Sequence, residues 1–225
     1  MRSVWSTLTL SLGVLFLSIP LAQAQSALDF AVGGGTAFDS TNHAGIDNAN
    51  SITNAFGPCT PGTGDPNCQG TAGLSGFFLG FSGDIMFKEH FGAGAEINFQ
   101  PVHQNYGPLQ SRQTFVDING IYEPFKTKRA ILQLQGGIGS ASTSFIYSQS
   151  SCVGAAVVCG TSASAIGSAT HFQVHFGAGL QIPLSEHFFV RPQFDLHYVP
   201  NLTQQFSSTL VPEATIWLGY HFGER

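Results

Sequence analysis

Apolar and polar residues alternate strictly along much of this chain. Between His171 and Ile182 the even positions are apolar, whereas the odd positions are small or polar. Because neighbouring side chains of a β-strand point to opposite faces, this alternation predicts a strand with one apolar face and one polar face. The same alternation occurs at Phe91–Pro101 and again at Phe188–Tyr198.

Eight segments of this kind occur, each long enough for a tilted membrane-spanning strand of about 9–11 residues. The segments are Leu28–Phe38, Leu74–Phe87, Phe91–Pro101, Gln113–Glu123, Arg129–Ala141, Thr170–Pro183, Phe188–Val199 and Leu210–Phe222. Short connections, often charged, alternate with long ones rich in Ser, Thr, Asn and Gly. The short ones are 88–90, 124–128 and 184–187, and the long ones are 39–73, 102–112, 142–169 and 200–209. Short turns at one rim and long loops at the other are typical of an outer-membrane barrel with periplasmic turns.

The polar face of the predicted strands carries the charge, and the apolar face carries almost none. A soluble barrel, such as a lipocalin, would turn the apolar face inward, whereas a membrane barrel turns it toward lipid. Strand periodicity alone leaves both arrangements open. The charged content of 9% is far below the ~25% of soluble domains and favours lipid. We therefore predict an all-β fold, an eight-stranded antiparallel up-and-down transmembrane β-barrel with long extracellular loops and short periplasmic turns.

The N-terminus and the net charge narrow the cellular setting. Arg2 precedes an apolar run from Thr7 to Leu21 that leads into Ala22-Gln23-Ala24, as in a secretory signal peptide. A membrane anchor is the alternative, but it needs about 20 apolar residues and this run breaks at Pro20. We predict a signal peptide at 1–24 and a barrel domain at 25–225. The formal net charge of -5 has the wrong sign for a nucleic-acid-binding protein.

The final segment, Ala214-Thr215-Ile216-Trp217-Leu218-Gly219-Tyr220-His221-Phe222, completes a pattern. Together with the signal segment and the amphipathic strands, it resembles the small outer-membrane-protein A/X-type β-barrel family of Gram-negative bacteria. The resemblance implies an outer-membrane location, outer-membrane lipid as surroundings, a monomer, and no C-terminal peptidoglycan-binding domain. It also implies a terminal-strand signal read by the barrel insertion machinery and carried here by Ile216, Leu218, Tyr220 and Phe222. Gly223-Glu224-Arg225 follow the closing aromatic residue and depart from the family pattern.

Four cysteines lie in two of the long connections. Cys59 and Cys68 share the first, and Cys152 and Cys159 share the third. Four cysteines allow three pairings, and pairing within each connection is the simplest. Closing a loop of about 8–10 residues would restrain it by about 2–3 kcal/mol. A zinc site is the alternative, but the spacings are too wide and an exported protein favours disulfides. We predict two local disulfides.

Ionisable residues gather on the inward face of the predicted barrel. Arg191 is the sole inward cation near the middle. Acidic residues at similar depth are Asp84, Glu96, Asp117 and Asp195, with Glu123 and Glu213 nearer the rims. Because a narrow eight-stranded barrel is filled by side chains and a buried unpaired charge is costly, we predict a charge network with Arg191 as its hub. A gated ion path is the alternative.

Four histidines, His171, His175, His197 and His221, also face inward. Pairing of the sixth and seventh segments about the turn at Ser185 would place His175 near Asp195, with His221 toward the opposite end. A three-histidine zinc site is therefore not expected, and we predict no metal and no cofactor. No G-x-S-x-G motif occurs, so we do not expect an enzyme.

Three functions stay open at this point. We expect a structural or surface-interaction barrel that displays the connections 39–73 and 142–169. A narrow or gated channel for ions or small solutes is the main alternative, and a lipid-modifying outer-membrane enzyme is a weaker one. The sequence does not identify the surface ligand.

Overall fold

The computed structural model describes residues 27–39, 45–47, 58–59, 62, 64, 68–70, 73–107, 109–153, 158–204, 206 and 208–223. The predicted signal peptide at 1–24 lies outside these residues. Within the described ranges, no helix has the length and apolarity that crossing a membrane requires.

Eight long strands form a closed antiparallel ring. We number them in chain order: β1 Leu28–Ala37, β2 Phe77–Met86, β3 Phe91–Phe99, β4 Leu109–Lys126, β5 Ile131–Val153, β6 Val158–Pro183, β7 Phe188–Tyr198 and β8 Leu210–Phe222. Each strand pairs with the next one along the chain, and β8 pairs with β1 from Leu28 opposite Phe222 to Ala37 opposite Glu213. Closure leaves the ring itself without an unpaired edge. The predicted up-and-down eight-stranded barrel is confirmed.

The apolar face of the strands points outward. Phe172, Phe176 and Leu180 on β6 are 57%, 59% and 42% exposed, whereas Gln173 and Gln181 on the same strand are fully buried. A soluble barrel would show the opposite arrangement. This orientation places hydrocarbon side chains where lipid can cover them and satisfies polar side chains inside the ring.

Aromatic side chains form a band on the outer surface near the turn-side rim. Neighbouring strands contribute pairs across the ladder, with ring centroids 5.0 Å apart for Phe91 and Tyr122 and 5.1 Å apart for Phe188 and Tyr220. Such aromatic girdles mark the membrane–water interfaces of outer-membrane barrels. The band therefore marks one boundary of the lipid-facing zone.

The strands β4, β5 and β6 are longer than the alternation predicts. Most of 142–169, predicted as a loop, is strand, and β5 pairs with β6 from Ile131 opposite Gln181 up to Val153 opposite Val158. This stretch is rich in Ser, Thr and Ala and has no continuous apolar face, although Phe145 at its base packs against the buried loop-side cluster. Backbone pairing between the two strands supplies the hydrogen bonds that an isolated loop would take from water. The alternation of apolar and polar residues therefore could not predict this extension of β5 and β6.

The other long connections also contain short elements. Gly45–Asp47 pairs with both Pro58–Cys59 and Cys68–Gly70 in a small sheet, and Cys59 forms a disulfide with Cys68. In the second connection, Gln104–Tyr106 pairs back onto the start of β4. In the described part of the fourth connection, Leu202–Gln204 forms a 3-10 turn.

Candidate functional site

Arg191 occupies the centre of the barrel interior. It projects inward from β7 and is 1% exposed. Its Nη1 donates to Asp84 Oδ2 at 2.8 Å and to Gln133 Oε1 at 2.6 Å, and its Nη2 donates to Ser82 Oγ at 3.1 Å. Gly179 on β6 makes room for this side chain, because a Cβ there would lie 3.0 Å from Arg191 Cγ. Both terminal nitrogens of the guanidinium are thus engaged by β2 and β5, whereas the buried Nε has no hydrogen-bond partner among the described residues.

The arrangement of the carboxylates differs from the single hub expected from the sequence. Among the described residues, the ion pair of Arg191 is with Asp84. Amide side chains contact the other three carboxylates: Gln193 Nε2 lies 3.3 Å from Glu96 and 2.9 Å from Asp195, and Gln173 Nε2 donates to Asp117 at 2.7 Å. Asp195 also hydrogen-bonds His175. Inward amide side chains therefore bind carboxylates that we expected Arg191 to pair with.

Two stacked histidines form a second cluster toward the loop side. The rings of His175 and His197 lie 4.9 Å apart between centroids. His175 Nε2 hydrogen-bonds Asp195 Oδ1 at 3.0 Å, and His197 Nε2 hydrogen-bonds Glu213 Oε2 at 2.9 Å. Glu213, expected nearer the rim, is fully buried and lies opposite Asp195 in the ladder of β7 and β8.

The register of β6 and β7 differs by two residues from the predicted one. His175 lies opposite His197, and Asp195 lies opposite Gly177. The four-residue turn 184–187 joins the strands, so the pairing centre lies beyond Ser185. No group of three or more His, Cys, Asp and Glu side chains in the described part of the chain is placed to hold a metal ion.

A packed apolar cluster closes the loop-side mouth. Phe78 and Phe115 point inward from β2 and β4 with ring centroids 5.8 Å apart. Side chains from three different connections cover them, and all are buried: Leu74, Tyr106, Leu202 and Phe206. We call this set, with Phe78 and Phe115, the mouth cluster. It places apolar side chains over the polar interior at the end where a solute would enter.

Two inward aromatic residues fill the turn-side half of the interior. Trp217 and Phe189 are fully buried, and the Arg191 guanidinium lies 5.6 Å from the Trp217 ring centroid. Each ring faces a glycine on the adjacent strand: Gly33 opposite Trp217 and Gly219 opposite Phe189. The sequence analysis did not identify Trp217 and Phe189 as interior residues. An aromatic residue opposite a glycine at inward positions of neighbouring strands could have indicated them.

The predicted terminal-strand signal lies on the lipid-facing side of β8. Ile216, Leu218 and Phe222 are exposed on the outer surface, and Tyr220 packs between Phe188 and Phe222. These positions suit recognition from outside the barrel. The role itself stays a prediction.

The cysteines predicted to pair lie at different places in the loop-side structure. The disulfide between Cys59 and Cys68 closes part of the first connection. Cys152 and Cys159 occupy directly opposed positions in the ladder of β5 and β6. Opposed antiparallel positions have the Cα separation of about 4.5–5.5 Å that a disulfide can bridge. The second disulfide stays a prediction.

The family model for the outer membrane protein beta-barrel domain matches residues 9–224. The chain belongs to this family. It is therefore an outer-membrane β-barrel protein, and its apolar outer surface faces membrane lipid. Outer-membrane barrels have short periplasmic turns and longer extracellular loops, and the same placement of the turns and long connections stays a prediction for this chain.

Several solved barrels are similar to this chain at low sequence identity. Ail, the attachment invasion locus protein of Yersinia pestis, solved with the heparin analogue sucrose octasulfate, is 9% identical with a TM-score of 0.49, over 88% of this chain and 100% of that one. Neisserial surface protein A is 9% identical with a TM-score of 0.47, over 89% and 97%. OprG of Pseudomonas aeruginosa is 14% identical with a TM-score of 0.46, over 89% and 99%. No curated protein sequence matches the chain.

Proposed function

We propose that this outer-membrane barrel is a structural protein with a surface-interaction role, carried by the sheet that β5 and β6 extend beyond the membrane. The observation that carries the proposal is the pairing of these two strands up to Val153 opposite Val158, with one register shift between Ala165 and Gly167. A protein that only anchored itself in the membrane would not need this extension.

The lipid-facing part of β5 and β6 ends near Ser142 and Thr170, and the extension begins there. Below that level the outward residues are apolar, such as Ile138 and Phe172, and above it Ser142 and Thr170 hydrogen-bond each other through their hydroxyls at 2.6 Å. From Ser142 to Val153 the strand extends about 36 Å along its own axis at roughly 3.3 Å per residue. The sheet therefore reaches well above the lipid headgroups.

The extension has a strand edge that the rest of the described structure does not pair. The pairing of β7 with β6 ends at Val174 opposite Tyr198, so β6 from 158 to 173 has β5 as its strand partner in the described residues. The stretch 142–169 contains no Asp, Glu, Lys or Arg. An uncharged edge with small side chains allows another extended backbone to approach and pair with it. We therefore infer that the partner is an extended peptide segment.

The cysteines support a display role. The Cys59–Cys68 disulfide restrains the first connection, and a second disulfide between Cys152 and Cys159 would tie the tip of the extension. Restraint before binding lowers the entropy that is lost when a partner binds.

The filled interior weighs against the channel alternative. The mouth cluster covers the loop-side end, and Arg191, Trp217 and Phe189 occupy the interior below it. The expectation that the protein is not an enzyme is checked by the mass of lipid A in expressing cells, which should not change. We further propose a monomer surrounded by outer-membrane lipid, with β8 read by the insertion machinery during assembly.

The experiment replaces residues 148–163 with Asn-Gly, which joins Tyr147 to its ladder partner Ser164 through a two-residue turn. Cells that display this variant are compared with wild type for adhesion to surfaces coated with serum proteins. We expect adhesion to fall well below wild type, because the variant lacks the tip of the extension and residues 158–163 of the exposed edge. Heat-dependent migration on gels serves as the control that the barrel still folds.

A second variant separates backbone recognition from side-chain recognition. It keeps Cys152 and Cys159 in place and shuffles the remaining residues of 148–163. Because edge pairing uses main-chain groups, we expect this variant to retain adhesion. Adhesion that survives the replacement by Asn-Gly would contradict the surface role of the extension.

A further inference from the structure

One edge of the β6 extension lies open beyond the lipid-facing zone. The ladder between β6 and β7 ends at Val174 opposite Tyr198, whereas the ladder between β6 and β5 continues to Val158. Between 158 and 173, the backbone groups of β6 that point away from β5 therefore have no strand partner among the described residues. Edge groups of this kind can pair with another strand. A second chain can thus add to the sheet here.

The edge has few of the features that usually prevent strands from joining. Proteins protect an exposed edge with charged side chains, proline residues or β-bulges. The segment 142–182 contains no Asp, Glu, Lys, Arg or Pro. Its described ladder has a register shift between Ala165 and Gly167, which leaves Ile166 without an opposed residue on β5. Because a bulge bends the strand, the regular part of the open edge is 158–165, at the end far from the membrane.

The side chains along this regular part are small and uncharged. Residues 160–165 read Gly-Thr-Ser-Ala-Ser-Ala, and Ala163, Ser164 and Ala165 are all exposed, so both faces of the sheet are open at these positions. Small side chains allow a second sheet to lie in the same plane without steric conflict. Since like charges opposite each other destabilise a ladder, an uncharged edge also meets no repulsion from an identical one. The edge is therefore compatible with itself as a partner.

Self-pairing of this edge fixes how two copies face each other. In a symmetric dimer both copies use the same edge. An antiparallel ladder allows this symmetry, with a two-fold axis perpendicular to the sheet, whereas the stagger of a parallel ladder does not fit a two-fold axis along the strands. The perpendicular axis reverses every direction within the sheet plane, including the direction from the membrane to the tip of the extension. Two self-paired barrels therefore point toward each other from two facing membranes.

Building on the proposed surface role of the extension, we propose that its partner is a second copy of this chain in the outer membrane of a neighbouring cell. The open edge at 158–165 pairs antiparallel with the same edge of that copy. Main-chain hydrogen bonds supply the attraction, as in other cases of strand addition. A single short pairing is weak, but a neighbouring cell presents many copies in one orientation, and their pairings act together.

The test mixes two populations of cells that carry different fluorescent labels and a short surface polysaccharide, which allows the two membranes to approach. When both populations display the wild-type barrel, we expect mixed aggregates that contain both labels. When only one population displays it, mixed aggregates should fall to the level of cells without the protein, because each pairing needs two copies. Mixed aggregates at the full level with the protein on one population would overturn the proposal, since the partner would then be another surface component.

Charged variants test whether the edge itself makes the contact. Ala163→Lys/Ala165→Lys on both populations should reduce mixed aggregates at least about tenfold, because like charges repel across the ladder and many pairings act together. Mixing this variant with Ala163→Glu/Ala165→Glu should restore them. The matched control, Asn201→Lys/Thr203→Lys, adds the same charge at exposed positions of the fourth connection and should leave aggregation unchanged. Failure of the opposite charges to restore aggregation, or an equal loss in the control, would overturn the proposal.

Adhesion of the same cells to surfaces coated with serum proteins separates self-pairing from the proposed function. Cells that adhere to those surfaces but do not aggregate would contradict self-pairing and leave the surface role intact. Cells that do neither would contradict both. Heat-dependent migration on gels verifies that the barrel of each variant is folded.

Discussion

Replacing Arg191 with Leu removes a buried cation from the middle of the barrel interior. Among the described residues, no other Lys or Arg side chain lies there. The change deletes three hydrogen bonds, to Asp84 at 2.8 Å, Gln133 at 2.6 Å and Ser82 at 3.1 Å. It also leaves the Asp84 carboxylate buried without its ion-pair partner. Among the described residues, the Gln133 amide still donates to this carboxylate at 3.2 Å. Breaking one half of a buried ion pair costs about 3–5 kcal/mol. We therefore expect the free energy of unfolding to fall by about this amount, a large part of a typical ~5–15 kcal/mol.

The assay is equilibrium unfolding of the folded barrel in urea within lipid bilayers, followed by tryptophan fluorescence. Trp217 reports directly, since its ring lies 5.6 Å from the Arg191 guanidinium. The double variant Arg191→Leu/Asp84→Asn removes both charges and should recover at least about 2 kcal/mol of the loss, because no unpaired charge remains. A loss below about 1 kcal/mol in Arg191→Leu, or strict additivity in the double variant, would refute the reasoning.

Three other predictions concern the interior wall, the carboxylates and the loops. Gly219→Ala should destabilise the barrel by about 1–3 kcal/mol, because its Cβ would lie 2.0 Å from an inward phenylalanine ring; Gly83→Ala, which meets its nearest atom at 3.4 Å, should not lower the gel-shift temperature. Equal effects of the two would contradict the packing argument. Glu213→Gln should change the urea midpoint little, since one buried oxygen has no hydrogen-bond partner in the described structure and the other can still accept; a loss above about 2 kcal/mol would show that the charge itself is needed. Cys59→Ser/Cys68→Ser should speed proteolysis of the first connection and leave barrel unfolding unchanged, because the disulfide restrains only that connection; unchanged proteolysis would count against its role.

Strict alternation made the barrel predictable, and the low charged content of 9% favoured the orientation with the apolar face toward lipid. Phe172 and Phe176 alternate with Gln173 and His175, and such a pattern has one buried face and one lipid-facing face. The extension of β5 and β6 escaped prediction because neither of its faces is apolar, so no period marks it. The length of this extension is set by backbone pairing between the two strands of the hairpin.

The interior contacts were only partly predictable. The inward phase places Arg191 and the carboxylates inside the ring, but it does not say which of them meet, because that depends on register and strand tilt. With a turn of four residues, the residue directly opposite His175 is His197 and not Asp195 as predicted. Leu74 and Phe206 of the mouth cluster come from irregular connections, where side-chain direction follows no period.

The proposed surface role requires a barrel whose interior is closed to ions. Purified, refolded barrel is inserted into planar lipid bilayers, and insertion is verified by gel-shift of the recovered protein. We predict a current equal to that of the bare bilayer at both polarities, because the mouth cluster covers the loop-side end and Arg191, Trp217 and Phe189 occupy the interior beneath it. Reproducible openings of one defined size would contradict the account.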